Sequence, residues 1–350
     1  MTQTIFMSIL VSLSAAYLFW GMTSLPKERW QIAAAVPLHK GNDGSWAGVN
    51  LTWYGILTAN AYLVASSLAL VLMGAAGIAL WAVIAVVVLL LACCVPASSL
   101  VARIVEKKQN TFTVGGAVCV GTLIAPWIIV LVNQVQPGDR GLNVPPLPAL
   151  AAIAIAYAFG EGLGRLACVS FGCCYGKPLS CCHPKVARII SPVALTFTGK
   201  TKKIAYASSL DGIKVLPVQG ATYLLYCAAG LASTFLFLQA QYSAAFLVAL
   251  CVTQGWRVIS EFFRDDHRGV GRFSAYQVMG LVSICYGFWV VRHFHGAPPP
   301  LPELARGFAS LWSRAPLLLL QLLWVVIFLY TGLSRVTAAT MSFHVNAEKI

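Results

Sequence analysis

The stretch Gly160-Glu-Gly-Leu-Gly-Arg-Leu-Ala-Cys-Val-Ser-Phe-Gly-Cys-Cys-Tyr-Gly176 ends an apolar segment that begins near residue 148. It places a carboxylate, Glu161, a guanidinium group, Arg165, and three thiols at the end of this segment. A charge inside a membrane-spanning helix costs about 3 kcal/mol or more, and it usually faces a partner or a cavity. The role of Arg165 therefore depends on whether the chain spans a membrane.

The composition is that of a membrane protein. Hydrophobic residues make up 59% of the 350 residues, charged residues make up 10%, and the mean hydropathy is +0.78. An ordinary soluble domain has about 25% charged residues. The composition therefore excludes a soluble globular protein.

Nine segments are candidates for membrane-spanning helices, each of which needs about 20 mostly apolar residues. They lie near residues 4–22, 52–73, 78–102, 114–135, 148–170, 216–238, 243–263, 273–294 and 315–333. We predict an all-α polytopic membrane protein of about nine transmembrane helices, with residues 171–215 as one small extramembrane cap. The first segment has no Lys or Arg ahead of its apolar run, which favours an uncleaved helix over a signal peptide.

The formal net charge of +13 is distributed unevenly over this topology. Eighteen of the 24 Lys and Arg residues lie on one side, in segments 23–51, 103–113, 171–215, 264–272 and 334–350. The positive-inside rule would make this side cytoplasmic. Alternatively, the basic loops surround a site for an anionic lipid head group. Nucleic acid is not an expected partner, because the sequence contains no compact basic domain to hold it.

The eleven cysteines include three adjacent pairs, Cys93-Cys94, Cys173-Cys174 and Cys181-Cys182. Thiolates are ligands for zinc and for iron–sulfur clusters, so a metal site at 173–183 is one possibility and a disulfide there is another. However, adjacent cysteines lack the usual gap of two residues that turns both side chains toward one ion. The cysteines inside the predicted spans behave as small apolar side chains.

Two readings of Arg165 follow from its position. Glu161 precedes it by four residues, which is the favourable order for an ion pair on a helix, so the pair could be purely structural. The small residues Gly160 and Gly164 lie on roughly the same face and would let another helix approach closely. In the second reading, Arg165 faces a cavity and binds an anion.

A second charged cluster ends the seventh predicted span. Arg257, Glu261 and Arg264 are spaced at i, i+4 and i+7, which places them on one stripe of a continuous helix. This stripe could be a structural ladder of ion pairs. A carboxylate between two arginines also leaves a net positive charge, and guanidinium groups bind two oxygens of a phosphate at once. Arginines in two separate spans near one membrane face therefore indicate a phosphate-binding cavity.

These stretches resemble a known family. Residues 164–176 are similar, length for length, to the G-R-x-G-N-F-x-N-G-E-x-x-G signature of prolipoprotein diacylglyceryl transferases, and more similar to a divergent branch that ends in G-C-C-Y-G. Thr52-Trp-Tyr-Gly-Ile56 resembles the early W-Y-G-L segment of the family, and Gly115-Gly-Ala-Val-Cys-Val-Gly121 its G-G-x-x-x-H-G-G entry to a helix. Residues 257–266 resemble its R-x-x-x-E-F-F-R-x-x-D run, with Gln277 following. The similarity covers about residues 50–295.

The resemblance implies an activity and a set of site residues. The family moves a diacylglyceryl group from phosphatidylglycerol to the cysteine thiol of a lipoprotein precursor, which yields a thioether and glycerol phosphate without a metal or another cofactor. It lies in the bacterial cytoplasmic (inner) membrane as a multi-pass protein. The catalytic residues implied are Arg165, Arg257 and Tyr54, to which we add Glu161 as a candidate from its place beside Arg165. The substrate-binding residues implied are Arg165, Arg257, Arg264, Glu261, Gly116, Gly121, Gln219 and Cys168.

The chain also departs from the family pattern. Val120 stands where the family has histidine, Cys168 and Phe171 replace two asparagines, and Cys173 replaces a glutamate. Ala221 and Thr222 replace a Tyr-Glu pair. The group that deprotonates the acceptor thiol therefore remains open between Glu161, Tyr54 and a cysteine of the 168–174 set. The membrane orientation is open too. In the family the active site opens to the periplasm, whereas the positive-inside rule would place the corresponding basic side of this chain in the cytoplasm.

Three functions are compatible with the sequence. The first is transfer of a diacylglyceryl group from phosphatidylglycerol, or another anionic phospholipid, to a protein or peptide thiol. The second is a non-catalytic lipid-binding membrane module that kept the fold. The third is a thiol-redox or metal protein that uses Cys173, Cys174, Cys181 and Cys182. For the domain organisation we expect an extra span and basic loop in 1–50, a transferase-like membrane domain in 51–295, and an extra span and tail in 296–350.

Overall fold

The computed structural model describes residues 2–42, 44, 46–105, 114–135, 144–265, 274–294, 301–333 and 348. The elements before the cap are α1 (Gln3–Ser24), β1 (Ile32–Lys40), β2 (Trp46–Thr52), α2 (Trp53–Ala75), α3 (Leu80–Val105), α4 (Val114–Gln134) and α5 (Pro146–Phe171). The cap contains α6 (Pro184–Ile190), β3 (Leu195–Thr196), α7 (Lys203–Ser208) and β4 (Lys214–Val215). The elements after it are α8 (Val218–Leu238), α9 (Tyr242–Ser260), α10 (Ala275–His293), α11 (Leu304–Leu311) and α12 (Arg314–Gly332).

The nine long helices of the described chain lie where the apolar segments predict them, and every end agrees within three residues. Eight of these helices are long and apolar enough to cross a membrane; α10 is not in that set. The outward side chains are apolar, as lipid contact requires; for example Leu13, Phe19 and Leu318 are 63%, 74% and 66% exposed. The predicted class, an all-α polytopic membrane protein, is confirmed.

Helix α5 forms the centre of the bundle, because it packs against α2 on one side and against α8 and α9 on the others. Small residues make this possible. A Cβ on Gly160 would lie 2.9 Å from the Cβ of Ala65 in α2, and one on Gly162 would lie 3.0 Å from the Sγ of Cys227 in α8. The predicted close approach of a second helix at Gly160 is therefore confirmed. The charged residues of α5 are consequently held away from lipid.

The described loops gather at two opposite ends of the bundle. At the basic end, Gln31 donates to the carbonyl of Thr201 at 2.8 Å, and Gly176 forms an isolated β-bridge with Arg264. The segments 23–51 and 171–215 and residues 264–265 therefore lie on one side, as predicted. The remainder of the 264–272 loop, including Arg268, lies outside the described residues. At the other end, Gln3 donates to the carbonyl of Leu238.

Two segments outside the nine predicted spans contain secondary structure. Strands β1 and β2 form an antiparallel hairpin within the segment 23–51, in which Val36 pairs with Val49. Helix α11 lies within the segment 292–314, where a Cβ on Gly307 would stand 2.1 Å from the carbonyl oxygen of Val71. Strand β1 is largely exposed, and α11, with eight residues, is too short to span a membrane. The hairpin corrects the expectation of a basic loop within residues 1–50, and α11 adds a short helix to the expected span and tail of 296–350, whereas the domain boundaries at 50 and 295 stay predictions.

Candidate active site

Three charged side chains meet in the interior of the bundle at its basic end. The Nη2 of Arg165 forms an ion pair with the Oε1 of Glu161, four residues earlier on α5. The Nη2 of Arg257, on α9, lies 3.3 Å from the same oxygen. The arginine residues are 9% and 8% exposed, and the Glu161 side chain is 9% exposed. One buried carboxylate therefore holds two guanidinium groups from different helices.

This arrangement combines the two readings of Arg165 that the sequence leaves open. The pair with Glu161 exists, and Arg257 joins it. Two guanidinium groups and one carboxylate carry a net charge of +1, which is costly to bury without a further anion. Within the described chain, the Nε atoms of Arg165 and Arg257 are buried without a hydrogen-bond partner. The site therefore keeps unused positive charge and unused donors.

Helix α4 closes the site over Arg257. A Cβ on Gly115 would lie 2.8 Å from the Nη1 of Arg257 and 2.6 Å from the Cδ1 of Tyr276. Only glycine lets the start of α4 come this close to the guanidinium group. Gly115 was not among the predicted site residues, although the Gly115-Gly116 pair at the start of an apolar helix was a signal for it.

Two tyrosines, Tyr157 and Tyr226, lie within electrostatic range of Arg257. Sequence reasoning missed them as well. The Tyr157 and Tyr226 rings are 6.1 Å apart, and the Tyr226 hydroxyl donates to the carbonyl of Thr253 at 2.7 Å. The Tyr157 hydroxyl is buried and, among the described atoms, has no hydrogen-bond partner. Tyr157 precedes Glu161 by four residues and so shares its helical stripe, which is the signal that could have found it.

Three thiols lie at the end of α5 and in the loop that follows it. Cys168 follows Arg165 by three residues on α5, and its Sγ atom and those of Cys173 and Cys174 all lie within 4.8 Å of one another. Cys174 has a φ of +57°, in the left-handed region. Adjacent cysteines were expected not to turn toward one point, and this expectation was wrong for Cys173 and Cys174, because the chain turns back at Gly172 (φ +72°) and again at Cys174.

The second cysteine pair of the cap does not join this group. Cys181 is exposed, and the Cys182 thiol lies 3.7 Å from the carbonyl oxygen of Pro178. All eleven cysteines belong to the described part of the chain, and none of them forms a disulfide. The cluster predicted from Cys173, Cys174, Cys181 and Cys182 is wrong in composition, since Cys168 takes the place of the cap pair.

Tyr54 and Gln219, both predicted site residues, come to the thiol end of the site. The Tyr54 ring lies 5.7 Å from that of Phe171, and its phenol is within electrostatic range of the three thiols. The Gln219 side chain donates from Nε2 to the carbonyl of Cys173 at 2.9 Å. Gln219 is 1% exposed, and its Oε1 has no hydrogen-bond partner within the described residues.

Two other predicted substrate-binding residues face a neighbouring helix. A Cβ on Gly116 would lie 2.5 Å from the Val101 side chain, and one on Gly121 would lie 3.0 Å from the Sγ of Cys94. Val101 and Cys94 belong to α3, so these glycines allow α3 and α4 to pack closely. Their contact with a substrate stays a prediction.

The predicted stripe of Arg257, Glu261 and Arg264 ends early. Helix α9 stops at Ser260, a short 3₁₀ turn covers Glu261–Phe263, and Arg264 is extended with φ −89° and ψ 151°. The placement of Arg264 on the helix was therefore wrong. Its backbone pairs with Gly176, which joins the end of one motif to the end of the other. Asp266, the last residue of the second motif, lies outside the described residues.

A buried lysine of the cap fixes the end of α5. The Nζ of Lys202 donates to the carbonyl of Ser170 at 2.6 Å and to that of Leu25 at 3.1 Å. Lys202 is fully buried, and this burial lowers the pKa of its ammonium group to about 8, although Glu28 acts in the opposite direction. No sequence pattern had marked Lys202. These two hydrogen bonds connect the cap to the loop after α1 and to the end of α5.

The fold and the site together define a multi-pass membrane protein with a buried, anion-seeking arginine pair next to a thiol cluster. The family model of prolipoprotein diacylglyceryl transferase matches residues 45–293, which is well over half of the chain. The chain therefore belongs to the prolipoprotein diacylglyceryl transferase family, a family of membrane-embedded transferases of lipoprotein biosynthesis. The family assignment predicted from the motifs is thereby confirmed. No curated protein and no solved structure matches the chain.

Proposed function

We propose that this protein transfers a diacylglyceryl group from phosphatidylglycerol to the cysteine thiol of a lipoprotein precursor in the bacterial cytoplasmic membrane. The observation that carries the proposal is the shared ion pair, in which Arg165 and Arg257 reach one oxygen of Glu161 from two helices. Family membership supports a lipid donor and a lipoprotein acceptor in general. The particular donor, acceptor and membrane are part of the proposal.

The phosphate of the donor lipid suits the charge of this site. Phosphatidylglycerol carries one negative phosphodiester charge, which matches the net +1 of Arg165, Arg257 and Glu161. A guanidinium fork can donate to two phosphate oxygens at once. Glu161 pairs with the Nη2 atom of Arg165 and with that of Arg257. The Nε atoms of both arginines therefore remain available to an anion.

The same charges favour the bond cleavage. In the transfer, the acceptor thiol gives its proton to a base, for which Glu161, Tyr54 and a cysteine of the 168–174 set are the candidates. The sulfur then attacks the glyceryl carbon, a carbon–sulfur bond forms, and the bond from that carbon to the phosphate oxygen breaks. The electron pair of the broken bond goes to the phosphate oxygen, so glycerol phosphate leaves with an added negative charge. Donors that are already placed around this oxygen stabilise the developing charge, and the surrounding low dielectric strengthens the effect.

The remaining predicted residues have positioning roles in this proposal. Glu161 orients both guanidinium groups. Gln219 holds the backbone of Cys173, and Tyr54 packs at the end of α5. Glu261 lies in the turn after α9, and Arg264, just beyond that turn, fixes this end of the site through its backbone bridge to Gly176.

The test is a mass measurement with defined substrates. Purified full-length protein in detergent is mixed with phosphatidylglycerol and a peptide that carries a lipobox cysteine. We expect a peptide whose mass increases by one diacylglyceryl group through a thioether, together with released glycerol phosphate. A matched peptide with serine in place of that cysteine is the control and should stay unmodified. Binding of phosphatidylglycerol without any thioether product would contradict the transferase proposal and favour the non-catalytic lipid-binding module.

A further inference from the structure

We propose that Cys168, Cys173 and Cys174 bind one zinc ion beside the buried arginines, and that this zinc receives the acceptor thiol. The role toward the acceptor rests on the proposed transferase function, whereas the metal site stands on the thiol geometry. It uses residues that the ion pairs of Glu161 do not involve.

The distances between the three sulfur atoms suit a single ion. Zinc–thiolate bonds are about 2.3 Å long, so two sulfurs on one zinc are at most about 4.6 Å apart. The three Sγ atoms lie within 4.8 Å of one another, and small side-chain rotations would bring them to bonding distance. Thiolates are soft ligands that select zinc and related ions over magnesium or calcium.

The backbone of the loop after α5 is shaped to aim these thiols at one another. Gly172 and Cys174 both adopt left-handed φ angles, and a residue with a side chain seldom does so. The double turn directs two neighbouring cysteines back toward Cys168 on the helix. The side-chain amide of Gln219 donates a hydrogen bond to the carbonyl of Cys173 and so holds the backbone of this cysteine. Residues around a metal site commonly orient its ligands through such hydrogen bonds.

The site offers three ligands, and that number has a chemical consequence. Structural zinc sites are closed by four protein ligands, whereas catalytic zinc sites have three and leave one position to water or substrate. The acceptor thiol would occupy the fourth position. A thiol that coordinates zinc loses its proton, here to solvent, and the resulting thiolate attacks the glyceryl carbon as described above. No separate general base is then needed from Glu161 or Tyr54.

The charges around the site are balanced by such an ion. A zinc ion with three thiolates has a net charge of −1, and Glu161 with its two arginines has a net charge of +1. Cys168 lies within electrostatic range of Arg165. The arginine site would therefore attract the zinc–thiolate site beside it, while the Nε donors of both arginines stay available to the phosphate.

The test measures metal content before any activity. Full-length protein is purified in detergent without chelators under an inert atmosphere, and its zinc is determined by plasma mass spectrometry. Cobalt(II) is then exchanged into the protein, and thiolate-to-cobalt charge-transfer absorption is recorded. We expect one zinc per chain and a cobalt spectrum typical of several thiolate ligands. Absence of both signals, or a disulfide among the three cysteines in the anaerobic protein, would overturn the proposal.

The variants separate a metal ligand from a packing residue. Cys174→Gly removes a thiol at a backbone angle that glycine adopts without strain, so we expect a folded protein whose zinc affinity falls at least about tenfold. Cys168→Ser should lose zinc in the same way. Ala240→Gly is the matched backbone control, because Ala240 has a φ of +59° at the opposite end of the bundle. Unchanged zinc affinity in Cys174→Gly and Cys168→Ser would overturn the site.

A second control uses the cap cysteines. The double variant Cys181→Ser/Cys182→Ser should keep its fold, its zinc and its activity, because these thiols lie apart from the cluster. Loss of zinc in this variant would overturn the assignment of the ligands. Thioether formation by metal-free protein at the full rate would overturn the acceptor role and leave the transferase proposal intact. Zinc binding without transfer by any preparation would overturn the transferase proposal and support the metal site alone.

Discussion

Glu161 should be the most sensitive single position for the stability of the bundle. The substitution Glu161→Gln keeps the size and one oxygen of the side chain but removes its charge. Arg165 and Arg257 would then be two buried cations without their shared carboxylate. Removing one partner of a buried ion pair costs about 3–5 kcal/mol, and the low exposure of all three side chains places Glu161 within that range.

The assay is unfolding of the detergent-solubilised protein, with the wild type and a matched surface variant measured in parallel. Glu303→Gln is that variant, because Glu303 pairs with Arg306 at 3.2 Å while both side chains are more than half exposed. An exposed pair contributes about 0–1 kcal/mol. Equal losses of stability in Glu161→Gln and Glu303→Gln would refute the reasoning.

A double variant tests whether the carboxylate is shared. In Glu161→Gln/Arg257→Gln one of the two stranded cations is removed as well, so the combined loss of stability should be smaller than the sum of the single losses. Groups in one network deviate from additivity by about 0.5–3 kcal/mol. Strict additivity would show that Arg257 and Glu161 act independently.

Three further outcomes are expected. Gly115→Val should reduce transfer and stability because its Cβ would meet a guanidinium nitrogen at 2.8 Å, whereas Gly255→Ala, which has open space around its Cβ, should leave transfer unchanged in the same assay. Lys202 should add to the free energy of unfolding a contribution that rises with pH between about 8 and 10.5, because burial lowers its pKa and the unfolded chain then binds more protons; Lys202→Met should remove this contribution and lower the slope of the free energy against pH, and an unchanged slope would contradict it. Cysteines introduced at the exposed Lys200 and Arg306 should react with an impermeant thiol reagent from opposite sides of sealed vesicles; reaction of both from one side would contradict the arrangement of the loops.

The sequence was a good guide to the positions of the helices. Twenty-residue apolar stretches have few alternatives to a helix in a membrane, because every backbone group must be hydrogen-bonded within the segment. The Glu161–Arg165 pair was predictable for a related reason, since a helix fixes the distance between residues i and i+4. The hairpin of β1 and β2 was not predictable, because its side chains are largely exposed and give no alternating apolar pattern.

The residues of the site could be predicted from the sequence only in part. Arg165 and Arg257 stood out because charges are rare in apolar segments, but their common contact with Glu161 depends on how α5 and α9 pack. The thiol cluster depends on the left-handed backbone of Cys174, which no spacing rule indicates. The role of Gly115 depends on its contact with Arg257, which is distant in sequence and could not be predicted from spacing.

The most direct test of the central claim is turnover of phosphatidylglycerol by Arg165→Lys and Arg257→Lys. Lysine retains the positive charge beside Glu161, so both variants should remain folded in the unfolding assay. An ammonium group cannot reproduce the guanidinium fork, and loss of such a preplaced donor typically slows the chemical step by about 100-fold or more. We therefore predict folded proteins that form thioether product at least about 100-fold more slowly than the wild type. Wild-type turnover in a folded Arg165→Lys protein would contradict the assignment of the buried arginines as the phosphate site.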